Sequence, residues 1–312
     1  MENPVMVPEM KKKPYLGTFG IIKSAIKIPL SSYTFLFITF LVSLPLFCAR
    51  LIPKLPDLSV LPSFLQMPFL TTQKLSLSAG SYDTEPPPVL DSIFLTLNTL
   101  LIDILRFVVA ITTVHSASKL HHAATTSTRS LIGPISTTAL VRPISTFFLA
   151  SFFSSVSLEA AAYWGGQGPL VRSRTIFFHV VHGITFAAAM AVWSGFCAFW
   201  NMGVVLSVLE GKRGLGAFSA SGDLMKGNRT RGTILMAIHT AWRVSLVLPG
   251  SFLGWDFFGG VGYKVAQEWL FSAETVMNWV VLVVYYYDCK NRQRERKKTI
   301  MVLEKDEGSG QV

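Results

Sequence analysis

Asp103 and Arg106 stand three residues apart in the middle of one long apolar run, and Arg243 stands in the middle of another. A charged side chain at the centre of a bilayer costs roughly 2.5 to 3.5 kcal/mol on insertion scales, so such residues face other helices or water rather than lipid. Spacing of three puts Asp103 and Arg106 on one helical face, where they can pair. Arg243 then needs a counter-charge, and Glu159 and Glu274, each in a further apolar run, are the candidates. Five such residues can form a path for an anion or a proton, or a structural clasp that fixes how the helices pack. Residue types and spacing leave both readings open.

The other chemistry-bearing residues point to less. His115, His121 and His122 form an H-x5-HH pattern, His179 and His182 lie three apart, and His239 is separate. Membrane desaturases need several repeated histidine boxes, and a haem between helices needs facing histidines at matched depth. Neither pattern is met, so no metal and no cofactor is expected. Cys48, Cys197 and Cys289 have no metal-type spacing and suggest no disulfide framework. Cys289 follows a run of three tyrosines and Asp288 at a span edge, a position compatible with palmitoylation. The chain has no P-loop, no G-x-S-x-G elbow and no H-E-x-x-H. Gly211, Gly214 and Gly216 lack the preceding strand of a dinucleotide site. The expectation is a non-enzyme.

The elements that must position these residues are long apolar segments. A spanning helix needs about 20 apolar residues, because the hydrocarbon core is about 30 Å thick and a helix rises about 1.5 Å per residue. Six segments qualify, at about 31–49, 91–115, 143–163, 175–205, 232–255 and 269–287. Half the chain is hydrophobic, 15% is charged and the mean hydropathy is +0.45, a balance unusual for a soluble domain of 312 residues. The formal charge of +10 is distributed by side. With six spans, 20 of the 28 Lys and Arg fall on the side that holds both termini. Cytoplasmic loops are enriched in Lys and Arg, so both termini are expected in the cytosol and the basic balance requires no nucleic-acid partner. The sole glycosylation sequon, Asn228-Arg229-Thr230, falls on the same side.

Three domains follow: a cytosolic tail with an amphipathic piece at 1–30, a membrane domain at 31–288 and a basic cytosolic tail at 289–312. In the first, Leu16, Phe19, Ile22 and Ala25 or Ile26 recur at helical spacing, suited either to the cytosolic membrane interface or to a simple N-terminal extension of span one. Between spans one and two, residues 50–90 hold seven prolines, which exclude regular helix over much of that loop. After span four, Leu215, Phe218 and Leu224 suggest a short amphipathic helix ending at Gly227, with neighbouring Lys and Arg free for lipid phosphates. In the C-terminal tail Lys290, Arg292, Arg294, Arg296, Lys297 and Lys298 form a juxtamembrane cluster for anionic headgroups on the cytosolic face. Gly183, Ala187, Ala191 and Gly195 make a smooth stripe on span four against which another helix can approach. Pro45 and Pro249 interrupt spans one and five.

The string from Val204 to Glu210, then Gly214-Leu215, Ala217, Ser221, Leu224 and Lys226-Gly227, resembles the signature of a family of uncharacterised plant multi-pass membrane proteins. Leu16-Gly17 and Lys23-Ser24 before span one resemble it too. Some members carry names that suggest binding to a polyadenylate-binding protein. The family is distantly similar to the six-helix membrane module attached to bacterial glycerophosphodiester phosphodiesterases. The resemblance implies a fold and a membrane address, with no catalytic residues to carry over. The expectation is an all-α, polytopic six-helix transmembrane bundle with short amphipathic cytosolic helices, in the endoplasmic reticulum, other endomembranes or the plasma membrane. Its partners are the bilayer, anionic headgroups and proteins yet to be identified, and its role is to organise membrane or bind partners, or else to carry a small solute or ion.

Overall fold

The structure, a computed structural model, describes residues 17–52, 89–123, 143–156, 176–252 and 261–309. Among these residues the fold is all-helical. The elements are α1 (Thr18–Leu30), α2 (Tyr33–Leu51), α3 (Val89–Ala123), α4 (Pro143–Val156), α5 (Ile176–Glu210), α6 (Gly214–Met225), α7 (Arg229–Phe252) and α8 (Val261–Ser309). Four helical stretches are long and apolar enough to cross a membrane: Tyr33–Leu51, Leu97–His121, Gly183–Glu210 and Gly262–Met301. The described part of α4 is shorter, and α7 carries Arg229, Arg231, His239 and Arg243, which lower its hydropathy. Glu159, residues 53–88 and the end of the third expected span lie outside the described residues.

The outward surface suits lipid. Only 22% of the α2 window is buried, and Tyr33, Phe37, Phe40, Leu41 and Leu44 point outward. Leu97, Leu101 and Val108 on α3 and Val192 and Phe196 on α5 continue the apolar surface. A contiguous exposed apolar belt of this kind is unfavourable in water and natural in hydrocarbon.

Helix α8 is the axis of the bundle. Between Gly262 and Gly308 it contains neither glycine nor proline, so nothing in its sequence ends it at the membrane edge. Its 49 residues extend about 73 Å, more than twice the hydrocarbon thickness. Span six and the basic tail are therefore one continuous helix, with Arg292 to Asp288 and Lys298 to Glu295 pairs along its surface. Val280, Leu282, Val283, Val284, Tyr285 and Tyr286 are buried on every face, and α1, α2, α3, α5, α6 and α7 all pack against α8.

The two amphipathic pieces form helices, but their apolar faces turn into the bundle. In α1 the buried residues are Ile21, Ala25, Ile28 and Pro29, while Phe19 is 82% exposed. The inward face is thus rotated from the expected one, because α1 docks on α8 and α2. Ser31 and Ser32 make the corner, with Ser32 Oγ accepting from the Phe35 N–H at 3.3 Å as the N-cap of α2. In α6, Phe218, Ser221 and Leu224 are buried against α5 and α8, and Leu215 is exposed. Gly203 lets α5 and α6 touch, since a Cβ there would overlap the Phe218 ring. Gly227, at φ +83°, turns the chain between α6 and α7 as expected of a helix-ending glycine.

Candidate functional site

The charged residues converge. Asp103 and Arg106 share a face of α3, with the guanidinium donating to Asp103 Oδ1 at 3.1 Å. On α8, Glu274 is buried. Arg243 Nε on α7 lies 4.0 Å from Glu274 Oε2, and His239 Nδ1, one turn earlier on α7, lies 2.6 Å from Glu274 Oε1. Of the two candidate partners for Arg243, Glu274 is the one that meets it among the described residues, and Glu159 lies outside them. The His239 contact is close, yet neither Glu274 oxygen has an aligned hydrogen-bond donor among the described residues.

These groups line a cavity of about 430 Å³ into which α2, α3, α4, α5, α7 and α8 all project. The chain directions place it toward the end of the bundle where α2 and α7 finish and α3 and α8 begin. Arg50, in the last turn of α2, joins Arg106 and Arg243 on the wall. The three guanidiniums are near enough to act on one another's charge, and Glu268 and Glu274 act on Arg50 in the same way. Arg50 makes no ion pair at contact distance among the described residues. Two further wall atoms have no hydrogen-bond partner among the described residues: Trp193 Nε1 on α5, a donor, and Asn278 Oδ1 on α8, an acceptor one turn beyond Glu274. Arg243 also lies over the Phe271 ring at 5.9 Å.

The sequence brought out Asp103, Arg106, Arg243 and Glu274 but placed Arg50 at a span's end, apart from them. An arginine in the last apolar turn at the side poor in basic residues was the available signal. His239, Trp193 and Asn278 carried none, because a lone polar residue on an apolar helix is as consistent with packing as with a site.

The opposite end of the bundle is closed by polar pairs. Glu210 Oε1, at the end of α5, accepts from Tyr286 Oη at 2.7 Å and Lys290 Nζ at 2.8 Å, while Lys212 lies 3.3 Å from Oε2. Asp288 Oδ2 accepts from Arg292 at 2.8 Å and has Arg231 at 3.8 Å. Tyr285 Oη donates to the Asn228 carbonyl at 2.8 Å, and Ser221 Oγ to the Phe199 carbonyl at the same distance. The Val204–Gly227 string is thus a corner that docks α5 and α6 on α8.

These contacts revise several expected roles. Lys290 and Arg292 are engaged inside the protein, whereas Arg294, Arg296, Lys297 and Lys298 are exposed. Arg296 also donates to the Lys226 carbonyl at 3.2 Å. Cys289 is fully buried against Tyr285, so the thiol expected at the membrane edge is inaccessible to acylation in this conformation. Of the small-residue stripe, Gly195 faces Thr233 on α7, while Gly183, Ala187 and Ala191 are exposed. His121 stacks on Tyr287 at 4.5 Å. The side chains of His122, His179 and His182 lie outside the described residues. No family model, no curated protein and no solved structure matches the chain.

Proposed function

We propose that the chain is a six-span integral membrane protein, both termini cytosolic, whose arginine-lined cavity binds a small charged solute and passes it across an endomembrane or the plasma membrane. The observation that carries this reading is the convergence of Arg50, Arg106 and Arg243 with Glu274, in a cavity where buried polar atoms have no hydrogen-bond partner among the described residues. A clasp that served packing alone would satisfy its own hydrogen bonds, because an unsatisfied buried polar atom costs about 1–3 kcal/mol. A solute that supplies the missing partners recovers that cost. Polar contacts among Glu210, Tyr286 and Lys290 tie the described helices together at the end away from the cavity, and a carrier is closed at one end in each of its two states. No catalytic step belongs to this reading.

The test is uptake of radiolabelled phosphate and amino acids into liposomes containing the purified protein. Selective uptake that is lost in Arg243→Ala, with the variant still folded, supports transport; equal leakage of all solutes from both proteins refutes it. A second reading, membrane organisation by the basic tail, rests on exposed Arg294, Arg296, Lys297 and Lys298 along α8. About 1 kcal/mol of attraction per basic residue near an anionic surface would support it.

A further inference from the structure

The unpartnered atoms of the cavity are of two kinds, and they specify a ligand more narrowly than charge does. On the donor side stand Arg50, without an ion pair at contact distance among the described residues, and Trp193 Nε1. On the acceptor side stand Asn278 Oδ1 and Glu274, whose oxygens lie beside His239 and Arg243 but have no aligned hydrogen-bond donor among the described residues; the two are one helical turn apart on α8 and therefore neighbours on one face. A simple oxyanion would satisfy the first set and leave the second facing a like charge. A simple cation would do the reverse.

We infer that the cavity takes a small zwitterion, an oxyanion held by Arg50 and Trp193 Nε1 joined to a primary ammonium held by Glu274 and Asn278. The acceptors require N–H donors, which a quaternary nitrogen lacks, and a primary ammonium offers three, one for each of the acceptor oxygens of Glu274 and Asn278. Guanidinium suits a carboxylate or phosphate through its paired donors. A cavity of about 430 Å³ falls within the usual range for small-molecule sites and admits an amino acid or a phosphoethanolamine group. The same chemistry occurs in a free solute and in the headgroup of an aminophospholipid that enters between the helices. The inference rests on the cavity being a ligand site and adds the ligand's class.

The experiment uses the full chain in lipid nanodiscs made of phosphatidylcholine. Binding of O-phosphoethanolamine, glycine, O-phosphocholine, inorganic phosphate and ethylamine is measured by calorimetry. In parallel, native mass spectrometry identifies lipids that stay bound after detergent extraction. The expected result is that O-phosphoethanolamine or glycine binds at least about tenfold more tightly than phosphate, phosphocholine or ethylamine. Arg50→Gln weakens that binding about tenfold, and Asn278→Leu removes the preference over phosphate. If no soluble probe binds but phosphatidylethanolamine is retained, and is lost in Arg50→Gln, the zwitterion is a headgroup and the inference stands. Equal binding of phosphate and O-phosphoethanolamine overturns the inference and leaves the ligand-site reading intact, as an anion site. Equal binding of ethylamine overturns it as a cation site. No bound probe and no retained lipid overturns both. The comparison of probes on the unsubstituted protein decides the matter even where a variant fails to fold.

Discussion

Arg243 on α7 and Glu274 on α8 meet at 4.0 Å although 31 positions separate them, and this contact joins the two helices across the cavity wall. It is a long ion pair. The guanidinium is 45% exposed while the carboxylate is buried, so the pair is asymmetric: removal of either partner strands the other differently.

Arg243→Ala removes a cation from a buried carboxylate, leaving Glu274 with His239 alone. The expected loss of stability is about 1–3 kcal/mol, the range for a hydrogen bond or contact to a charged group. Unfolding in graded sodium dodecyl sulfate measures it. In the Arg243→Ala, Glu274→Ala double variant the loss should be smaller than the sum of the two single losses, because they share a contact. Strict additivity would dissolve the pair.

Tyr286→Phe deletes one hydroxyl that donates to Glu210 and accepts from Lys290 at 2.6 Å. The expected cost is about 0.5–1.5 kcal/mol, with the fold unchanged. Glu210→Gln should cost a similar amount, and the two together little more than either. Circular dichroism melts in detergent provide the comparison.

Gly203→Ala places a methyl group where the Phe218 ring lies, which forces α6 away from α5. Overpacking of this sort costs typically about 1–3 kcal/mol. The Gly203→Ala, Phe218→Leu double variant should recover part of the loss. A single variant as stable as the parent would show that α6 does not dock there.

Cys197 and Cys289 are buried, whereas Cys48 is exposed on α2. Treatment of the folded protein with a membrane-permeant maleimide should leave Cys289 unmodified, and sodium dodecyl sulfate should expose it. Hydroxylamine-sensitive acylation of Cys289 in protein from native membranes would contradict the packing against Tyr285. Glycosidase treatment should leave electrophoretic mobility unchanged, since Asn228 is buried at the α6–α7 corner. A mobility shift abolished by Asn228→Gln would invert the proposed orientation.

The sequence by itself determined that the chain is helical with apolar segments long enough to cross a membrane, and that Asp103 and Arg106 share a face on which they can pair, because both follow from local length and spacing. The corner glycine at 227 was legible for the same reason: a left-handed turn is a demand of one residue. It could not determine the rotation of α1, where Ile21, Ala25 and Ile28 turn inward, or the inward docking of α6, since lipid and a protein core are equally apolar partners. It did not show where the C-terminal tail joined the bundle, since a charged helix and a charged coil have similar composition. Arg50 and Trp193 entered the cavity only through the packing of α2 and α5 beside α3, α7 and α8. Local rules assign each residue to a helix; which residues share one cavity depends on helix–helix contacts between positions far apart in the chain, and only the tertiary structure decides those.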